Sequence, residues 1–303
     1  MIRAPHRFTS SAASHWALGF LLPFCLLARQ TFTATVPLKA LIIDGQNNHK
    51  WEETTPILKR ILEETGLFVV DVATAPPKGA DLSGFMPRFG AYAVVLSNYN
   101  GDPWSKACQA AFEHYVRGGG GFVVIHAADN SFPEWKAYNE MIAIGGWGNR
   151  TPDAGPYVRF RDGKVILEQK AGPTGNHGKA HAFQVIVRDR AHPITRGLPV
   201  AWMHAADELY DSLRGPAEHM TLLATAFSDP KTGGSAENEP VLLTVAYGKG
   251  RVFHTVLGDN VGSLSCVGFI VSLQRGAEWA ATGKVTQDVP ADFPTADRIM
   301  TRP

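Results

Sequence analysis

Cysteine is scarce: three in 303 residues, at positions 25, 108 and 266, too few for the disulfide framework that staples small secreted domains. An excess of either charge is also missing. Lys and Arg number 29 against 28 Asp and Glu, a net charge of +1, and no basic run is interleaved with aromatics, which argues against a nucleic-acid partner. No G-x-S-x-G elbow is present, and neither Cys108, inside a predicted helix, nor Cys266, at a helix start, ends a strand as a catalytic thiol would. The glycine run Gly118 to Gly121 precedes a strand instead of opening a helix, so it is no phosphate loop, and no nucleotide cofactor is expected.

What the sequence has is apolar mass. At 45% hydrophobic and 19% charged residues it can bury a full core, read here as one domain over residues 38–283 with an inserted segment and a tail at 284–303. Arg3, His6 and Arg7 precede the apolar stretch WALGFLLPFCLL, Trp16 to Leu27. That pattern reads as a signal peptide over residues 1–34, too short in its apolar part to span a membrane, and predicts an exported protein.

Apolar runs alternate with amphipathic segments along the domain. Leu38 to Ile43 predicts a strand, Trp51 to Thr65 a helix closed by Gly66, and Leu67 to Ala73 a second strand. Ala91 to Leu96 repeats the pattern, followed by a helix opening at Asp102-Pro103 and running to Arg117. The continuous run Phe122 to Ile125 predicts a strand buried on both faces. From Tyr157 to Val187 the pattern shifts to short strands around Asp162-Gly163, a hairpin signature. Met220 to Ala226, Val241 to Tyr247 and Arg251 to Val256 return to strands, and a helix from Leu264 to Ala281 closes the domain. The sum predicts a doubly wound α/β fold: a mostly parallel sheet, helices on both faces, and a small antiparallel insertion.

In such sheets ligands bind beyond the carboxyl ends of the strands. His126 falls directly after the buried run, and His49 lies in the loop Gln46 to Trp51 with Asn47 and Asn48. The stretch His204 to Tyr210 (HAADELY) sets carboxylates beside a histidine, usual equipment for acid–base chemistry. Glu208 is the preferred acid or base there, against the alternative of a solvated helix face with Asp207 pointing to water. His126, Glu208 and His49 are thus the expected catalytic residues; Asn47, Trp51, His177, His181, Asp259 and Asn260 are the expected substrate contacts. His177 and His181 are four apart, a metal-pair spacing, but Gly175 and Gly178 favour a loop. Metal ligands are left unassigned, with room for a divalent ion. His254 lies inside a predicted strand whose register is open.

Five segments in order carry a resemblance: LIIDGQNNHKW, GGGGFVVIHAA, HAFQVIVRDRAHPITRGLP, DELY and YGKGRVFHTVLGDN. Together they resemble the ThuA-like (trehalose utilisation) domain over about Lys39 to Gly283. The resemblance implies a flavodoxin-like fold of the class I glutamine amidotransferase type, with His126 near the place those enzymes give a nucleophilic cysteine, which removes glutaminase chemistry. It also implies carbohydrate catabolism, often beside oxidoreductases that make 3-keto sugars, and so a small carbohydrate as ligand and cleavage or isomerisation of a keto-glycoside as activity. A non-catalytic sugar-binding module with Trp51, Trp147 and Trp202 as stacking surfaces, and a metal-dependent hydrolase, are the alternatives; a homo-oligomer is left open. Many members that look like this end the last strand with Leu-Gly-His-Asp. Here the order is Leu257-Gly258-Asp259-Asn260, so a histidine's work there would pass to His254 or be dispensed with.

Overall fold

The computed structural model describes residues 36–303; the expected signal peptide lies outside them. Among the described residues no helix is long and apolar enough to cross a membrane.

Chain order opens with β1 (Leu38–Asp44), α1 (Trp51–Glu63), β2 (Phe68–Thr74), β3 (Val94–Ser97), α2 (Lys106–Arg117) and β4 (Gly121–Ile125). Next come α3 (Lys136–Ile142), the hairpin β5 (Tyr157–Arg161) and β6 (Lys164–Glu168), the short β7 (Asn176–His177), β8 (His181–Val187), β9 (Ala201–Asp207) and β10 (Tyr210–Asp211). β11 (Met220–Phe227), β12 (Asn238–Tyr247), β13 (Gly250–Thr255), α4 (Val261–Leu264) and α5 (Val267–Thr282) complete the order.

Nine strands form one sheet in the order β2-β1-β3-β4-β13-β12-β11-β8-β9. The expectation of a mostly parallel sheet is corrected: the pairs from β2 to β13 are parallel, and every pair from β13 to β9 is antiparallel. The sheet is therefore mixed. The tight turn at Gly248 (φ 61°) joins β12 to β13, and a connection that short can only join antiparallel neighbours. The segment expected as a small insertion supplies β8 to the main sheet, leaving β5 and β6 as a separate ribbon. Its turn fits the hairpin prediction, with Asp162 and Gly163 both at positive φ (51° and 75°).

β4 is the centre of the core and is buried along its whole length. Phe122 turns toward α2 and α3, its ring 4.9 Å from Phe112 and 6.0 Å from Tyr138. Gly121 turns toward α5, whose Ala280 backbone approaches so closely that a Cβ would lie 2.6 Å from it; only glycine allows that contact. Helices thus cover both sides of β4. α2 opens at Ser105, whose hydroxyl accepts from the Cys108 amide, three residues later than the predicted Asp102 cap.

Four successive reversals bring β9 back to the direction of β13, so its carboxyl end lies at the same edge as those of the parallel strands. The antiparallel half also folds back on α5, where Trp202 of β9 sits against Gly268. Residues 284–303 run along this junction: the Met203 amide donates to Thr295 and the Val267 amide to Met300, while Phe293 packs edge-on to Trp202.

Candidate active site

Loops after β1, β3, β4 and β13, with the β9–β10 link, meet at one edge of the sheet. His126 follows β4 immediately and takes φ 46°, a conformation rare for a residue with a Cβ. Such a backbone costs on the order of 1–3 kcal/mol and persists only where its surroundings fix it. Here the ring does so: Nδ1 donates to the Val256 carbonyl at 2.7 Å, and the imidazole is packed 4.0 Å from the Tyr210 ring and 4.8 Å from that of His49. Because a carbonyl can only accept, the proton sits on Nδ1 and Nε2 carries the lone pair. Burial pushes the ring below the usual histidine range, the nearby His49 working in the same direction against Asp207, so it stands neutral. His126 is 2% exposed, and its Nε2 has no hydrogen-bond partner among the described residues. An unpaired buried acceptor costs about 1–3 kcal/mol and calls for an explanation.

His49 is placed by its loop. Asn47 Oδ1 accepts from the His49 amide at 3.1 Å, and its amide group reaches back to Asn98. The His49 ring lies with Nδ1 2.7 Å from Asp259 Oδ1 and Nε2 3.1 Å from the Tyr210 hydroxyl and 3.0 Å from Asn48 Nδ2. Asp259 loses solvation there, but hydrogen bonds from His49 and Asn260 hold it down at about 2. It is therefore an ionised acceptor, and His49 donates from Nδ1. Burial, with the charges of Asp129 and Glu208 beside it, raises the Tyr210 phenol, which stays protonated and donates to His49 Nε2.

Glu208 stands at the mouth with its side chain 23% exposed, Oε2 3.9 Å from His126 Nε2 and 3.8 Å from His177 Nε2. His177 lies on β7, its Nδ1 donating to the Gly178 carbonyl at 3.0 Å. A cleft of about 320 Å³ opens in front, lined by Asn48, Asn100, Asn130, Trp147, Glu208 and Tyr210 among others. Trp147 forms a wall, edge-on to Tyr210 at 4.7 Å. A neighbouring cleft of about 620 Å³ shares Asn48 and Asn100 and is lined by Trp51.

Behind the cleft Asp207 ties the parts together. Its carboxylate accepts the amides of Glu208 (3.0 Å), Gly258 (2.9 Å) and Asp259 (3.0 Å), and pairs with His204 Nε2 at 2.8 Å. His204 and Asp207 are fully buried. The helical, water-facing alternative for this stretch is thereby corrected: it is a strand end, and Asp207 faces inward.

The structure brings His49, His126, Glu208, His177 and Asp259 together. Asn260 caps α4 by accepting from the Ser263 amide and donates to Asp259 Oδ2 at 2.7 Å. Asn47 shapes the loop, and Trp51 opens α1 beside the larger cleft. His181 opens β8 with Nδ1 bonded to the Lys179 carbonyl and lies outside this cluster. His254 does not replace a histidine at position 259: it is sealed in the core, bonded to the Ile142 carbonyl and to Asp129. Trp202 is likewise fully buried and is no stacking surface. Asn100 and Asn130 went unassigned in the sequence; their one signal is that each shortly follows a core strand. One donor atom each from His49, His126, Glu208 and Asp259 lies within 4.8 Å of the others, a set that could hold a metal ion.

A mixed sheet with helices packed on both sides of its central strand and a histidine–carboxylate cleft at its strand ends defines an α/β protein of ThuA-like architecture. The chain belongs to the ThuA family, described as trehalose utilisation, whose model matches residues 39–280. It is similar to a ThuA-like protein from Parabacteroides merdae of known crystal structure: 48% identity, TM-score 0.86, 88% of this chain and 98% of that one covered. A ThuA-like protein from Bacteroides uniformis shares the fold at 20% identity and TM-score 0.55, over 82% of this chain and 94% of that one. The comparison with curated proteins returned no match.

Proposed function

We propose that the protein is a carbohydrate-active enzyme that works by proton transfer on a 3-keto-glycoside, acting after export from the cytoplasm. The observation that supports this reading best is the meeting of Glu208, His177, His126 and His49 at a cleft walled by Trp147 and three asparagine side chains. An aromatic face suits the apolar side of a pyranose, and amides suit its hydroxyls.

A ketone at C3 acidifies the hydrogen on C2. Glu208, with His177 beside it, takes that proton; the electron pair forms the C1–C2 double bond as the C1–O bond breaks, and the proton now on Glu208 passes to the leaving oxygen, which restores the carboxylate. His126 and His49 sit behind Glu208, held in fixed tautomers. Incubation of the purified protein with a 3-keto-disaccharide is expected to release the C1 substituent, with Glu208→Gln losing roughly 10²–10⁴-fold in rate. Saturable binding without any release would leave a sugar-binding module, and full activity in Glu208→Gln would remove the mechanism.

A further inference from the structure

We propose that His126, His49 and Glu208 form a binding site for one divalent transition-metal ion, with Asp259 as the outer partner that orients His49. The inference goes beyond the carbohydrate reaction and does not depend on it.

Three observations carry it. First, His126 Nε2 is a buried lone pair without a partner among the described residues, on the side of the ring that faces Glu208. Second, its separation of 3.9 Å from Glu208 Oε2 is too long for a hydrogen bond, yet short enough for both atoms to reach one ion through bonds of about 2.1 Å. Third, both histidines have the second ring nitrogen engaged as metal-ligating histidines do. His126 Nδ1 donates to a backbone carbonyl and His49 Nδ1 to a carboxylate, which fixes the tautomer and leaves Nε2 as the lone pair each can give. The His49 lone pair is met by the Tyr210 hydroxyl and the Asn48 amide, two donors that an ion must displace to bind.

Two imidazoles and one carboxylate favour ions of the Zn²⁺, Mn²⁺ or Fe²⁺ class over Ca²⁺ and Mg²⁺, which prefer oxygen alone, and this triad leaves coordination positions open toward the cleft. Glu208 cannot hold the ion and take the C2 proton at once, so ion binding is expected to compete with the proposed reaction.

The test is titration calorimetry on purified, chelator-stripped protein with Zn²⁺, Mn²⁺, Mg²⁺ and Ca²⁺ in turn. One Zn²⁺ or Mn²⁺ per chain is expected, with Mg²⁺ and Ca²⁺ much weaker. Glu208→Gln and His126→Ala should each weaken binding at least about a hundredfold and Asp259→Asn about 10–100-fold, the range usual for outer partners. His181→Ala, outside the cluster, should bind like the wild type. Glu208 is partly exposed, so its variant keeps the test decisive even if His126→Ala does not fold. The absence of saturable uptake at one ion per chain, unchanged affinity in Glu208→Gln, or equal loss in His181→Ala would each overturn the site. Ion binding with no sugar turnover by the stripped protein leaves this inference standing and removes the reaction; turnover by stripped protein that takes up no ion does the reverse.

Discussion

Two histidine–aspartate pairs lie a few residues apart in space and differ in what surrounds them. His204–Asp207 is fully enclosed, whereas His49–Asp259 keeps 16% and 15% of its side-chain surface in contact with solvent. In the enclosed pair the carboxylate also holds three backbone amides, two of them in the loop that carries Asp259. In the open pair the carboxylate serves one imidazole and its neighbour Asn260. The same two residue types thus make a structural clamp in one place and a poised lone pair in the other, and burial decides which.

The comparison can be broken at several points. The largest effect is expected from Asp207→Ala, which strands a buried imidazole and three amides; a loss of about 3–5 kcal/mol in denaturant unfolding is expected, and a loss below 1 kcal/mol would show that the clamp bears no weight. Next is a pH effect. Burial opposes charge on His204, but the Asp207 hydrogen bond, aided by Cys266, raises it to about 9. Its stabilising contribution is whole below the ordinary histidine value of about 6.5 and is lost as pH rises through about 9. The thermal midpoint should therefore fall as pH rises across that window in the wild type, and the slope should shrink in Asp207→Asn. Asp259, held at about 2, acts at the other end: its contribution is present above the ordinary carboxylate value and disappears only as pH falls through about 2.

A smaller effect, and the sharper contrast, is expected from Asp259→Asn. Its stability should change by no more than about 1 kcal/mol, while kcat/KM on a 3-keto-disaccharide falls about 10–100-fold because a neutral amide, which can present its NH2 as well as its oxygen, fixes the His49 ring less firmly than the carboxylate. Equal losses in stability and activity would erase the distinction between the pairs. The smallest is Asn260→Ala, which removes the cap of α4 and should cost about 1 kcal/mol, measurable as a lower denaturant midpoint.

Much of the cleft was legible because the signals were local. A continuous apolar run marks β4, so the imidazole that follows it had to emerge at a strand end; the loop after β1 and Glu208 followed from the same reasoning. Asn260 was read from the chain only as a substrate contact; that it also caps α4 emerged with the structure. Strand direction was less accessible, since residues such as Met220 to Ala226 pair as well in either sense, and only the turn at Gly248 betrayed the antiparallel half. The inward turn of Asp207 was hidden for a different reason. Its partners, Gly258 and Asp259, are 51 and 52 residues away, and nothing near Asp207 announces them. His181, expected as a substrate contact, begins β8 with its ring bonded to the Lys179 carbonyl, a position that no local signal in its glycine-flanked loop announced.

Those distant partners bear on how the molecule comes to life. Contacts between segments so far separated cost chain entropy before they repay it, and the cleft is built from several of them: besides the Asp207 bonds, His126 reaches Val256 across 130 residues and His49 reaches Tyr210 across 161. The reactive cluster is therefore a property of the finished molecule, and a ligand that grips it registers how many chains have reached that state.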